Sequence, residues 1–203
     1  MTRLVLASAN PGKLRELETL LAPLGLALRP QGAFGVEAPP ETGTTFLANA
    51  LLKARHAAAA TGLAALADDS GLEVDALDGR PGVRSARFAH PGASDGENLR
   101  ELLEQLAGVP EGQRQGRYQC VIVLLRSAHD EAPLVARGTW EGHIARAPRG
   151  KGGFGYDPVF VPAGFERTAA ELGADEKNRL SHRGQALRAL VAQLGRGDYI
   201  RAP

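Results

Sequence analysis

Asp68 and Asp69 stand side by side in the run Ala67-Asp68-Asp69-Ser70-Gly71, directly after the apolar stretch Leu63–Ala67. Adjacent carboxylates repel each other, so placing both at the end of a strand asks for a cation. The ends of strands in open α/β sheets are also where ligands bind. Carboxylate oxygens suit Mg²⁺, which takes one or two of them and fills its shell with water and phosphate oxygens. Read locally, the same residues also fit a plain turn between two short strands, Leu63–Ala67 and Leu72–Leu77. A second group is Ser8-Ala9-Asn10-Pro11-Gly12-Lys13, between the apolar run Arg3–Ala7 and a leucine-rich segment. A strand, a polar loop and a helix start point backbone N–H groups and a helix dipole at one spot, and Lys13 adds a point charge, which suits phosphate. The run lacks the Walker A pattern, and an ordinary strand-to-helix turn accounts for it as well.

Further candidates lie downstream. Lys53 sits in a helical segment with Glu41 just upstream; the plain alternative is two solvated surface charges. Gly150–Asp157 reads GKGGFGYD. Its glycines leave little side chain between backbone and a ligand, and Phe154 and Tyr156 could stack on a purine; a flexible loop is the alternative. In Glu176–Gly184, Ser181 is a good helix cap, which gathers Lys177, His182 and Arg183 at a helix N-terminus. Cations are unfavourable there because that end of the dipole is already positive. An anion or an electron-rich carbonyl would relieve the conflict, and a local rule broken at one spot is a hint of function.

The elements that must carry these groups follow from periodicity. Arg3–Ala7 reads as a buried strand. Leu14, Leu17, Leu20, Leu21 and Leu24 recur at helical spacing, and Gly25 ends that helix. Leu26–Arg29 looks like a second strand. Thr44 or Thr45 caps a helix to about Ala60, with Phe46, Ala50, Leu51, Ala54 and Ala58 on one side, closed by Gly62. Asp78–Gly92 is turn-rich and holds Arg80, Arg84 and Arg87. Ser94 or Asp95 starts a helix with Leu99, Leu102, Leu103 and Leu106. Tyr118–Arg126 is the strongest strand, Leu134–Ile144 its expected antiparallel partner, and Pro158–Val161 a brief strand. A final helix over Ser181–Leu194 shows a buried stripe of Ala186, Leu187, Leu190, Val191 and Leu194. Helices and strands alternate early and a hairpin sits mid-chain, so an α/β fold with a mixed sheet is expected.

Composition narrows the function classes. The chain has 203 residues, 43% of them apolar, enough for a sizeable core. With 24 Lys+Arg against 23 Asp+Glu it lacks the basic surplus that non-specific nucleic-acid binding needs. A single cysteine, Cys120, allows no intrachain disulfide and reads as core filler in a reducing cytoplasm. The first strand leaves no room for a signal peptide, and no apolar stretch approaches the roughly 18 residues of a membrane span.

Together these features resemble the ITP/XTP pyrophosphatase family of nucleotide house-cleaning enzymes. The resemblance runs essentially end to end, through Ser8–Lys13, Glu41–Ala54, Leu66–Leu77, Pro81–Ala89, Gly152–Phe160 and Glu176–Leu187. No position essential to the pattern departs from it; Tyr156 stands where some members carry a different aromatic. The resemblance implies one domain over residues 1–203 without an independent linker. It implies a long central mixed sheet flanked by helices, two lobes with the active-site cleft between them, and a homodimer. It implies Mg²⁺-dependent hydrolysis of ITP, dITP or XTP between the α- and β-phosphates. In the roles it implies, Glu41 and Asp69 hold Mg²⁺, Asp69 is the general base or positions a metal-bound water, and Asp68 is a second ligand or braces Asp69. Ser8, Asn10, Lys13 and Lys53 bind phosphates and Ser70 contacts substrate. Phe154, Gly155, Tyr156, Lys177, His182 and Arg183 receive the base, and Asp157 contacts it or braces the loop. A donor pocket accepts the 6-carbonyl of hypoxanthine or xanthine and leaves donors unpaired against adenine. Pyrophosphatases of modified pyrimidine nucleotides, against which Ser181–Arg183 speaks, and a nucleotide sensor, which would not need Asp68-Asp69, are the alternatives. Neither nucleic acid nor membrane is an expected partner.

Overall fold

A computed structural model of the chain describes residues 2–8, 10–21 and 26–195. Among them, six strands form one mixed sheet in the order β2-β1-β3-β4-β5-β6. The strands are β1 (Thr2–Leu6), β2 (Leu26–Pro30), β3 (Ala64–Val74), β4 (Gln115–Leu125), β5 (Leu134–Ile144) and β6 (Phe160–Pro162). β1 runs parallel to both β2 and β3, with Leu4 opposite Leu28 and Ala64. β5 and β6 are antiparallel, with Ile144 opposite Phe160. The helices are α1 (Pro11–Leu21), α2 (Phe46–Thr61), α3 (Asp95–Gln105), α4 (Ala174–Leu180) and α5 (His182–Leu194). No helix among the described residues is long and apolar enough to cross a membrane.

Local chemistry starts and stops these helices as the sequence suggests. Pro11, whose fixed φ suits the first helical position, opens α1 behind Asn10, whose Oδ1 accepts the N–H groups of Gly12 and Lys13 at 2.8 and 3.1 Å. Thr45 caps α2 by accepting from Ala48 N–H at 3.1 Å, and Gly62 closes it at φ 67°. Ser94 and Glu97 form a reciprocal capping box on α3. Leu24 and Gly25, expected at the end of α1, lie outside the described residues.

Three expectations need correction. The anticipated turn at Asp68–Gly71 is absent: β3 runs unbroken from Ala64 to Val74, and a short 3₁₀ turn, Asp75–Leu77, replaces the end of the second strand. The brief strand forms at Phe160–Pro162, two residues later at its start than Pro158–Val161. The last helix is preceded by a separate one, α4, with Asp175 and Glu176 in its first turn and Lys177 and Arg179 in its last, a charge order that matches the helix dipole. Ser181, in extended conformation at ψ 158°, divides α4 from α5. Seven residues are too few to show a periodic stripe, which is why α4 escapes a periodicity reading.

The chain divides into two compact units, crossing between them at Asp69/Ser70 in β3, Gln119/Cys120 in β4, Gly138/Thr139 in β5 and Arg183/Gly184 in α5. In the first unit, period-two alternation of the strands builds two cores. Leu4, Leu6, Leu66, Ile122 and Leu124 face Leu17 and Leu21 of α1 and Ala186, Leu187 and Leu190 of α5. Val5, Ala65, Ala67, Val121 and Val123 face Ala50, Ala54, Ala57 and Ala58 of α2. Cys120 is buried in the first of these cores, as expected of a filler.

The second unit has its own core of Leu72, Val74, Leu99, Leu102, Leu106, Tyr118, Trp140, Tyr156 and Phe160. Arg114 is buried beside it. Its guanidinium donates to the carbonyls of Leu106 (2.7 Å), Ile144 (2.8 Å) and Ala145 (3.2 Å), tying the end of α3 to the end of β5. Removing that fork leaves carbonyls unpaired in the interior, at about 1–3 kcal/mol for such a group. Arg114→Met is therefore expected to lower the urea midpoint by an amount equivalent to roughly 3 kcal/mol. An unchanged midpoint would mean that water replaces the guanidinium.

Candidate functional site

Alternation along β3 decides what the paired aspartates do. Asp68 shares a face with Leu66, and Asp69 shares the other with Ala65 and Ala67. Each therefore meets a lysine from a different helix. Lys13 of α1 contacts Asp68 Oδ2 at 3.0 Å, and Lys53 of α2 contacts Asp69 Oδ1 at 2.6 Å. Asp68 is fully buried and Asp69 nearly so. Each carboxylate thus meets its own lysine on its own face of the strand.

Lys53 also contacts Glu41 Oε1 at 3.1 Å, so a single ammonium lies between Glu41 and Asp69. Burial by itself would pull the lysine down, but the charges of Asp69, Asp68 and Glu41 overcome it and hold the ammonium above its ordinary pKa. Burial pushes the Asp69 carboxyl above its usual range, assisted by Glu41 and opposed by Lys53 and Lys13. Asn49, buried one turn before Lys53 on α2, donates to Asp69 Oδ2 at 3.3 Å and accepts from Gly43 N–H at 2.8 Å. It ties the loop bearing Glu41 to the acid. A Cβ on Gly43 would come within 2.6 Å of the Asn49 oxygen, so only glycine lets that loop approach. Asn49 was not singled out in the sequence, yet a signal existed: Asn49 and Lys53 are polar residues four apart on a face otherwise made of alanines.

The helix start at Ser8–Lys13 is more self-contained than its pattern suggests. Asn10 N–H donates to Ser8 Oγ at 3.2 Å, and Asn10 Oδ1 already takes the N–H groups of Gly12 and Lys13. The amides expected to receive phosphate are therefore capped by Asn10. Ser8 and Asn10 still line a cavity of about 470 Å³ with Leu14, Pro30 and Val36, so they border open space rather than the core.

Does this cluster suit Mg²⁺? Among the described residues, no three His, Cys, Asp or Glu side chains converge as a metal cage. Mg²⁺ requires only one or two carboxylates, and Glu41 and Asp69 already bracket one cation, the Lys53 ammonium. The donor set fits a hard divalent ion held by Glu41 and Asp69. Asp68 stands on the other face of β3, in contact with Lys13.

The remaining candidates gather in the second unit around Asp157. Its Oδ2 accepts from Lys177 Nζ at 2.8 Å and from Phe154 N–H at 2.9 Å, and its Oδ1 from the Tyr118 hydroxyl at 3.3 Å. Burial, then the charge of Asp157, raises the Tyr118 pKa well above its ordinary value, so the phenol keeps its proton to donate. Gly153 has φ 71°, and a Cβ there would strike the Asp157 carboxylate. The half-buried Phe154 ring lies 4.8 Å from Lys177 Nζ and 5.7 Å from the Arg183 guanidinium carbon. Arg183 donates to Ser70 Oγ at 3.0 Å. The His182 ring stacks on Tyr118 at 4.6 Å and 8°.

Lys177, His182 and Arg183 do come together, and all are buried. Arg183 is no surface residue. Lys177, however, belongs to α4 and pairs with Asp157, so only His182 and Arg183 occupy the first turn of α5. Tyr156 also departs from expectation. It is buried in the second unit's core and its hydroxyl donates to Ser85 O at 2.8 Å, whereas Phe154 is half-buried beside Lys177 and Arg183. Tyr118 was read only as a strand residue, and nothing in its local pattern announces a partner 39 residues away.

Fold and clusters define a class: an α/β protein with a lysine-bracketed acidic centre in one unit and a buried cationic group beside an aromatic ring in the other. The family model of the Ham1 family matches residues 4–193. The chain is 56% identical over 192 residues to the dITP/XTP pyrophosphatase of Methylococcus capsulatus, covering 95% of this chain and 96% of that one. It is 53% identical over 197 residues to the dITP/XTP pyrophosphatase of Escherichia coli K12, covering 97% and 100%. Its structure is similar to that of a HAM1 protein from Coxiella burnetii, with a TM-score of 0.90, 50% identity and coverage of 97% and 100%. The chain belongs to the Ham1 family.

Taking one partner out of a buried ion pair costs about 3–5 kcal/mol, because the other charge stays buried alone. Lys53→Met is expected to destabilise the chain toward that range in urea unfolding. Adding Asp69→Asn should recover part of the loss, since the stranded charge is gone. Equal stability of Lys53→Met with and without Asp69→Asn would show that the two groups are not coupled.

Proposed function

We propose that the chain hydrolyses deaminated purine nucleoside triphosphates, ITP, dITP and XTP, to the monophosphate and pyrophosphate. The observation that carries this reading is the buried donor group of Lys177, His182 and Arg183 beside Phe154. A 6-carbonyl gains hydrogen bonds from such a group, whereas a 6-amino group leaves buried donors unmet, at about 1–3 kcal/mol for each contact. The names and near full-length identity of the curated relatives support the same substrate class.

In this reading Lys13 and Lys53 hold phosphate oxygens, and Ser8 and Asn10 border them. Mg²⁺, held by Glu41 and Asp69, would supply charge neutralisation along the triphosphate. Asp69 orients the attacking water and accepts its proton as the water oxygen bonds to the α-phosphorus. The bond from the α-phosphorus to the bridging oxygen then breaks, and its electron pair leaves with pyrophosphate. Asn49 and Asp68 keep Asp69 and Lys13 in place. Phe154 stacks on the base, and Asp157 fixes Lys177. The family resemblance further supports a cytoplasmic homodimer that binds neither nucleic acid nor membrane.

Asp69→Asn is expected to abolish turnover of ITP, followed as released pyrophosphate with Mg²⁺, while circular dichroism stays unchanged. Near-normal turnover in that variant would remove both the base and the metal-ligand role. Arg183→Ala should slow ITP hydrolysis and narrow the ITP-to-ATP ratio of kcat/KM by about tenfold or more, because its fork makes more than one contact. Lys13→Ala, acting on phosphates common to both nucleotides, should lower both rates by similar factors. An unchanged ITP-to-ATP ratio in Arg183→Ala would show that this residue does not read the base. Light scattering is expected to report about twice the 21.4 kDa of one chain; a mass near one chain would refute the dimer.

A further inference from the structure

Asp95 has no part in the reaction as described, yet it holds the loop that carries Phe154. It is the first residue of α3, whose N-terminus is already capped by Ser94 and Glu97. Its carboxylate is directed elsewhere: Oδ2 accepts the backbone N–H of Gly155 at 2.7 Å, across 60 residues of sequence. Gly153 and Gly155 both have positive φ, 71° and 60°, and glycines on either side of Phe154 give that segment little intrinsic preference for one shape. Tertiary contacts supply the preference instead. Asp157 takes the N–H of Phe154 itself, Asp95 takes the N–H of the next residue, and the Tyr156 hydroxyl donates to Ser85 O. Asp157 and Asp95 thus clamp the two peptide groups that flank the Phe154 side chain, and the ring rests by Lys177 and Arg183.

We propose that Asp95 is a positioning residue for base recognition: by accepting from Gly155 N–H it fixes the backbone that aims the Phe154 ring. The proposal rests on the base-reading assignment above. Asp95 neither transfers a proton nor contacts phosphate, so its loss acts on how firmly the base is held.

The test is steady-state kinetics on Asp95→Ala and Asp95→Asn in the full chain, with inorganic tripolyphosphate as a competitor that carries no base. A hydrogen bond to a charged acceptor is lost in Asp95→Ala, and KM for ITP is expected to rise about tenfold. The ITP-to-ATP preference should narrow, kcat should stay within about twofold, and the inhibition constant of tripolyphosphate should not move. Asp95→Asn keeps an acceptor oxygen and is expected to restore KM to within about twofold. Amide hydrogen exchange at Gly155 should speed up in Asp95→Ala and not in Asp95→Asn.

A KM for ITP unmoved in Asp95→Ala overturns the proposal, as does a rise matched by an equal rise for tripolyphosphate. A lowered melting temperature with KM unchanged would make Asp95 a brace of α3 alone. Should the alanine variant fail to fold, Asp95→Ser, which keeps a good residue at the helix start but shortens the reach to Gly155, is read in the same way. If the unmodified chain turns over no ITP, the functional reading fails by itself. Gly155 exchange then decides the Asp95 assignment, and unaltered protection in Asp95→Ala overturns it.

Discussion

Two carboxylates at consecutive positions of a buried strand are the constraint around which the first unit is organised. Each ion taken from water costs several kcal/mol even after relaxation. Because β3 alternates, Asp68 and Asp69 leave it on opposite faces, and each meets a different lysine. Lysines must arrive from helices on both sides, and α1 and α2 bring them as Lys13 and Lys53. The helices are placed by their apolar stripes on the two cores, and the lysines interrupt those stripes where the acids stand. Glu41 joins by sharing Lys53, and Asn49 links its loop to Asp69. The result is a chain of hydrogen-bonded charges running from Glu41 through Lys53 to Asp69.

The second unit solves a similar problem with the signs reversed. Lys177, His182 and Arg183 are buried together, and the carboxylate that pairs with Lys177 is Asp157. Asp157 also receives Tyr118 and the Phe154 peptide, so one acid sets the position of a cation, a stacking ring and a glycine loop.

Much of the fold is legible locally. Asn10-Pro11, Thr45, Gly62 and the Ser94–Glu97 box mark helix ends through chemistry that acts within four residues. The long strands β4 and β5 follow from apolar runs. The candidate residues, too, stood out as types out of place: paired acids after an apolar run, aromatics among glycines, cations at a helix start. What was misread locally was misread for a physical reason. Asp68–Gly71 has the composition of a turn, but strand neighbours on both sides of β3 and a lysine for each acid make the extended form the better one. Tyr156 and Phe154 are indistinguishable as stacking candidates until one is seen to fill the core.

The amino-acid sequence by itself determined the period of each element, its caps, and which chemically active residues had to be accommodated, because these depend on interactions along a few residues of chain. Only the tertiary structure decided who partners whom. That Asp68 belongs to Lys13 and Asp69 to Lys53, that Asn49 and Tyr118 each hold an acid, and that Asp95 reaches Gly155 are facts about elements meeting across 16 to 60 residues. Pairing at that range is set by which faces the cores bring together. Charge strength adds little to that choice, since any buried acid would accept any lysine offered to it.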